Sequence, residues 1–244
     1  MKKLEMKNVK KTFYTEIGAL DVLDDISFDL EEGEIIAIVG PSGSGKSTLL
    51  NIISKLLDPT EGEIIVDGDI GYMFQRDHLF NWRTVWKNIL IGLEIKKDMD
   101  DQKLEKIKDL LKKYDLSDFI NNYPQELSGG MRQRIALIRT LATDPDVLLL
   151  DEPFSALDYQ TRIIVSDDIH RMIKDSHVSA ILVTHDISEA IAMADRVIVL
   201  SHRPARLKKI IPIITDTTEN TPYAKRLSKE FRIYFDEIWG LLNE

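Results

Sequence analysis

The most chemically loaded stretch of this 244-residue chain is Gly40-Pro-Ser42-Gly43-Ser44-Gly45-Lys46-Ser47, followed by Thr48. It fits G-x-x-x-x-G-K-[S/T] and stands between a short apolar run and a helical one, the setting in which that spacing carries meaning. Glycines at 40, 43 and 45 allow dihedrals and a close backbone approach that side chains would block. The N–H groups of such a turn converge on phosphate oxygens, aided by the positive end of the helix that starts near Lys46. Lys46 offers a point charge to β- and γ-phosphates, and the Ser47 hydroxyl is a hard oxygen ligand for Mg²⁺. This is the chemistry of a nucleoside triphosphate held with its magnesium.

A second group of residues complements the first. Val147-Leu-Leu-Leu150-Asp151-Glu152-Pro153 puts two acids at the end of a buried run, and ligands of doubly wound sheets bind at the carboxyl ends of strands. Asp151 is placed to take Mg²⁺ through its water shell, opposite Ser47, and Glu152 to polarise a water that attacks the γ-phosphate. Adjacent acids beside a polyphosphate repel it unless a cation intervenes, so the pair itself implies Mg²⁺.

Both groups need a scaffold. Leu4 to Phe13 and Ser27 to Leu30 alternate as strands do, and Glu34 to Val39 is β-branched and apolar, as in a strand covered on both faces. Gly62 to Val66 leads through Asp67-Gly68, a tight hairpin turn by its chemistry, to Ile70–Phe74. Between about Val85 and Leu141 the period is helical; in Asp101 to Lys113, Leu104, Ile107, Leu110 and Leu111 recur at spacings of three and four among Lys and Glu. Val147–Leu150, Ala180–Thr184 and Val197–Leu200 resume the strand series, and Ala224–Leu242 reads as one terminal helix. The pattern predicts an α/β core with parallel strands, interrupted by a helical insert.

Leu127-Ser128-Gly129-Gly130-Met131-Arg132-Gln133-Arg134 resembles the signature of ABC (ATP-binding cassette) ATPases. Its small residues and N–H groups ahead of a helix form a second anion cradle. The resemblance implies an ABC-type P-loop NTPase: a parallel-sheet core (1–75 and 142–207), an antiparallel N-terminal β-subdomain, an inserted α-helical subdomain (about 76–141) and a C-terminal helical extension (about 208–244). It implies ATP as the nucleotide and a homodimer in which each ATP lies between the phosphate turn of one copy and Ser128, Gly129 and Gly130 of the other. It further implies that Gln75 senses Mg²⁺ and links core to insert. Asp158, in Ser155-Ala-Leu-Asp158, would lie in the loop crossing the dimer interface, and His185 would contact the γ-phosphate while orienting Glu152 and water. An aromatic stacking on adenine is expected near the end of the first strand, at Phe13 or Tyr14.

Gln75-Arg-Asp-His-Leu-Phe-Asn-Trp82-Arg-Thr-Val-Trp86-Lys-Asn88-Ile is similar to a pattern in importers of nitrate, sulfonates, taurine and thiamine precursors, with Asn81 replacing a usual proline. There it implies a groove for a coupling helix of transmembrane permease subunits, with Trp82 an anchor unless Trp82 and Trp86 are core of the insert. A solute-binding protein would act indirectly. The rivals are a soluble assembly cassette of the iron–sulfur type and an exporter or lipoprotein-release cassette. A single phosphate turn and a single signature, about eighty residues apart, speak against twin-cassette translation factors and coiled-coil DNA-repair ATPases. A net charge of −9 argues against nucleic acid as a partner. No apolar run is long enough to span a bilayer, and the lysine-rich start lacks a signal-peptide core, so the expected place is the cytoplasmic face of the membrane, peripheral through permease subunits. The lack of cysteine excludes disulfides and thiol chemistry. The basic run Lys103–Lys113 reads as a solvated helix face.

Overall fold

Ile35–Val39 (β3), Val147–Asp151, Ser179–Val183 and Arg196–Leu200 are each five residues long and, apart from Asp151 and Arg196, wholly buried. Apolar strands covered on both faces are what a parallel sheet between two layers requires. The computed structural model describes residues 1–16 and 18–243. Before β3 run β1 (Lys2–Thr15) and β2 (Gly18–Glu31); after it come α1 (Lys46–Ile53), β4 (Glu61–Val66) and β5 (Ile70–Met73). The insert holds α2 (Val85–Lys96), α3 (Asp101–Lys113) and α4 (Gly129–Leu141). The core resumes with β6 (Val147–Asp151), α5 (Tyr159–Asp175), β7 (Ser179–Val183), α6 (Ile187–Met193) and β8 (Arg196–Leu200). The chain closes with β9 (Leu207–Pro212), α7 (Pro222–Leu227) and α8 (Lys229–Asn243).

Two sheets result. One is three-stranded in the order β2-β1-β4, and the other is six-stranded in the order β5-β6-β7-β3-β8-β9. In the larger sheet every pairing is parallel except β8 with β9. Successive side chains of β3 point to opposite faces. Ile35, Ala37 and Val39 therefore join the core shared with the helical insert, α5 and α6, while Ile36 and Ile38 join the core shared with α1 and the antiparallel sheet.

The structure departs from the sequence reading at four places. Asp67-Gly68 is not a hairpin, because β4 pairs with β1 and β5 pairs with β6, so this turn carries the chain from one sheet to the other. Gly68 has φ of 102°, and a Cβ there would fall 2.0 Å from the Asp146 carboxylate, which accepts a hydrogen bond from the Asp69 N–H. β2 begins at Gly18 rather than Ser27 and pairs along the length of β1 through several register shifts. The C-terminal stretch opens on β9, an antiparallel edge strand. Its helical part is two helices, broken at Ser228, whose hydroxyl accepts from the Phe231 N–H and starts α8. The run Lys103–Lys113 is the solvated helix read from sequence, its lysines paired with Asp98, Asp144, Glu105 and Asp175.

Candidate functional site

Because β3, β6 and β7 are parallel neighbours, their carboxyl ends deliver three loops to one edge of the sheet, where ligands of such sheets bind. From β3 comes the glycine turn, from β6 the pair Asp151-Glu152, and from β7 the loop carrying His185. β5 runs parallel to β6 and brings Gln75 to the same edge.

The turn closes into α1 through Gly45, whose φ of 97° is a conformation few side chains tolerate. A Cβ on Gly45 would also sit 2.7 Å from a methyl of Val22. Lys46 is buried, and its Nζ donates to the carbonyls of Gly40 (2.8 Å) and Pro41 (3.0 Å) of its own loop. Burial holds this ammonium below the usual lysine range against the opposing pull of Glu152 and Asp151. The buried Ser44 hydroxyl has no partner among the described residues.

Across from the turn, Asp151 is half-buried beside the Ser47 and Tyr72 hydroxyls, and burial pushes its carboxyl above the ordinary value. Glu152 takes a left-handed backbone conformation, φ 44°, while its N–H donates to the Val183 carbonyl at 2.8 Å. Non-glycine residues adopt such angles where surrounding contacts impose them. Two side chains converge on its carboxylate: Gln75 Nε2 donates to Oε2 at 3.1 Å, and His185 Nδ1 lies 3.1 Å from Oε1. A cavity of about 360 Å³ opens here, lined by Gly43, Lys46, Ser47 and Thr48 of the turn together with Glu152 and Arg203.

This donor set fits a polyphosphate and its magnesium. An unpaired buried hydroxyl and a lysine satisfied only by loop carbonyls await an anion, and a hydroxyl beside a carboxylate is the hard-oxygen pairing Mg²⁺ takes.

Ser128, Gly129 and Gly130 lie elsewhere, and none of them lines the cavity. Exposed Ser128 caps α4, its hydroxyl accepting from the Met131 N–H at 3.3 Å. A Cβ on Gly129 would meet Leu157 at 3.1 Å, and one on Gly130 would meet Val165 and Thr161 at 2.9 and 3.0 Å. The signature turn therefore rests on the Ser155–Asp158 loop and α5. Asp158 caps α5, accepting from the N–H and hydroxyl of Thr161, and these bonds hold its carboxyl below the usual range.

Phe13 leans on the core and carries the Lys11 ammonium 5.0 Å above its ring; Tyr14 is exposed, and neither lines the phosphate cavity. The two tryptophans of the insert part company: Trp82 is 75% exposed, whereas Trp86 packs against the core. Sequence reasoning missed Tyr72 and Arg203 as neighbours of the site. Tyr72 reads as one more alternating residue of β5. Arg203 arrives because Ala205 hydrogen-bonds with Val22 and Asp24 of β2, folding the loop after β8 against the turn.

Known proteins share this arrangement. The profile of the ABC transporter family matches residues 23–155. The chain is 41% identical to the aliphatic sulfonates import ATP-binding protein SsuB of Bacillus cereus, over 85% of each chain. It is 39% identical to the nitrate import ATP-binding protein NrtD of Synechocystis, over 98% of this chain and 94% of that one. Its fold matches the dimeric ATP-binding cassette MJ0796, solved in a post-hydrolysis state with ADP and Pi, at a TM-score of 0.73 and 31% identity over 86% and 99% of the two chains. With the glycine turn, the two acids and the separate signature on one scaffold, this chain belongs to the family of ABC transporter ATP-binding proteins.

Proposed function

We propose that this chain hydrolyses ATP as one of two copies that energise an importer for a small solute of the nitrate, sulfonate, taurine or thiamine-precursor kind. The observation that carries the hydrolytic reading is the convergence of Gln75 and His185 on the Glu152 carboxylate, each at 3.1 Å. A carboxylate gripped from both sides, next to a phosphate turn, is the arrangement that positions an attacking water. Support for the importer reading comes from the sulfonate and nitrate import names of relatives near 40% identity.

In this reading Lys46 and the turn formed by Gly40 and residues 42–48, Ser42, Ser44 and Thr48 among them, hold the β- and γ-phosphates. Ser47, Asp151 and Gln75 would hold Mg²⁺, which would supply positive charge to offset the charge that builds on the phosphates. Glu152 orients the water and draws on its proton, while His185 fixes Glu152 and meets the γ-phosphate. Ser128, Gly129 and Gly130 of a second copy close the far side of each nucleotide, and Asp158 lies at that interface. Phe13 stacks on the adenine, with Tyr14 as the alternative. Catalysis then rests on positioning and charge stabilisation, without a covalent intermediate.

Trp82 and the segment around it receive a membrane helix of the permease, which places the chain at the cytoplasmic face. The test is co-expression with a permease of the nitrate/sulfonate class, followed by reconstitution and measurement of ATP-dependent solute uptake. Uptake that requires this chain supports the reading. Association with a soluble scaffold instead of a permease would replace it with an assembly role.

A further inference from the structure

The loop that carries His185 and the loop that ends in Asp158 come from different strands, yet one side chain joins them. Arg162, one turn into α5, donates from Nη2 to the Leu157 carbonyl at 3.1 Å, inside the Ser155–Asp158 loop. Its other terminal nitrogen, Nη1, lies 3.2 Å from Asp186 Oδ2 and 3.4 Å from Glu189 Oε1. Asp186 directly follows His185. Its N–H donates to the Thr184 hydroxyl at 3.0 Å, and that hydroxyl donates to Glu189 Oε2 at 2.6 Å. The residues on either side of His185 are thus tied to the two carboxylates that grip Arg162. Glu189 is 3% exposed, so the guanidinium does not compete with bulk water there, and a planar fork that serves a carbonyl and two carboxylates at once has no substitute in lysine.

The same carboxylates are also faced from the C-terminal part of the chain. Arg226 on α7 makes no ion pair within 4 Å among the described residues, its Nη1 is buried without a hydrogen-bond partner, and burial holds its guanidinium below the usual arginine range, while the Tyr223 N–H donates to Asp167 at 2.9 Å. Arg162 is thus the arginine ion-paired with Asp186 and Glu189, and α7 packs against α5 and α6 behind them.

We propose that Arg162 is a positioning residue for ATP hydrolysis, locking the Ser155–Asp158 loop and the His185 loop into one body that moves as a unit. A shift of Asp158 at a subunit interface would then carry His185 with it, and His185 in turn sets the Glu152 carboxylate. The catalytic consequence rests on the hydrolytic reading above; the mechanical linkage does not.

The test measures steady-state ATPase activity and backbone hydrogen exchange on wild type and Arg162→Met. The expected result is a kcat lowered about tenfold with KM for ATP within about twofold, since couplings inside one charge network reach that size. Exchange should accelerate together in residues 155–160 and 183–190 and stay unchanged in residues 38–48. An unchanged kcat in an active wild type, or loosening of only one of the two loops, overturns the proposal. A plain folding defect would raise KM and exchange across the chain, which also counts against it. If Arg162→Met does not fold, Arg162→Lys decides: it keeps the charge without the three-way reach, and a wild-type kcat in that variant overturns the proposal. A wild type that hydrolyses no ATP sinks the functional reading instead, while the exchange measurement still tests the linkage.

Discussion

His170 offers the sharpest test of how the core beneath the site is built. It lies on α5, is 4% exposed, and its Nε2 has no hydrogen-bond partner among the described residues. Burial, reinforced by the cations Lys225, Lys174 and Arg171 and opposed by Asp195, brings its imidazole down to about 4 from an ordinary 6.5. The sign follows from comparing the two states. Between those values the unfolded chain takes up a proton that the folded protein refuses, so stability falls as pH drops through that window and is fully present above it. At about 1.4 kcal/mol per pH unit the full loss amounts to about 3 kcal/mol, of which about 2 kcal/mol has gone by pH 5. The perturbation is His170→Gln, which removes the titration while keeping a similar volume. Urea unfolding of both proteins at pH 7.5 and pH 5, followed by tryptophan fluorescence and circular dichroism, isolates the His170 part from the carboxylates common to both. Wild type should lose about 2 kcal/mol more than the variant between the two pH values. Parallel losses, within about 0.5 kcal/mol, would show that the imidazole is not held neutral by its surroundings.

Other perturbations follow from the same geometry. Gly130→Ala drives a methyl against Val165 and Thr161 and should cost about 1–2 kcal/mol by overpacking even after the gain in helix propensity. Gly129→Ala meets a terminal methyl of Leu157 at 3.1 Å, which a small rotation relieves, and should change stability by less than about 0.5 kcal/mol; thermal unfolding of the pair checks the contrast. Lys46→Ala should weaken binding of a fluorescent ATP analogue by at least about tenfold, because a charge-assisted contact to the phosphates is lost; equilibrium titration measures it. Trp82→Ala, at a side chain 75% exposed, should leave folding within about 0.5 kcal/mol of wild type. The same change should lower capture of a co-expressed permease severalfold.

Much of the core could be read from the sequence, and the reasons are local. β3, β6 and β7 are unbroken apolar runs that end at chemically distinctive residues, so hydrophobicity and motif point to the same boundary. β9 lacks that agreement: Leu207–Pro212 contains two lysines and ends in proline, which an edge strand tolerates but a pattern search discounts. The stretch of β2 before Ile26 contains Asp21, Asp24 and Asp25, and the register shifts against β1 blur the alternation. Asp67-Gly68 has hairpin chemistry, and only the distant pairing of β4 with β1 and of β5 with β6 reveals that the turn joins two sheets. At the site, the grouping of Lys46, Ser47, Asp151 and Glu152 was legible because the roles proposed for them depend on neighbours in sequence. Gln75 and His185 came through family resemblance, since nothing local distinguishes them. Arg162, Tyr72 and Arg203 carried no signal, because contacts between segments distant in sequence bring them to the site.

In the proposed dimer each ATP is shared between the phosphate turn of one copy and the signature turn of another. The structure of the Glu152→Gln variant with Mg²⁺ and ATP tests it directly, since that change should spare binding and stop turnover. The expected result is a twofold dimer with two nucleotides, each γ-phosphate touched by Lys46 of one copy and by residues 128–130 of the other. A nucleotide enclosed by a single copy, with residues 128–130 out of reach of any phosphate, would contradict it.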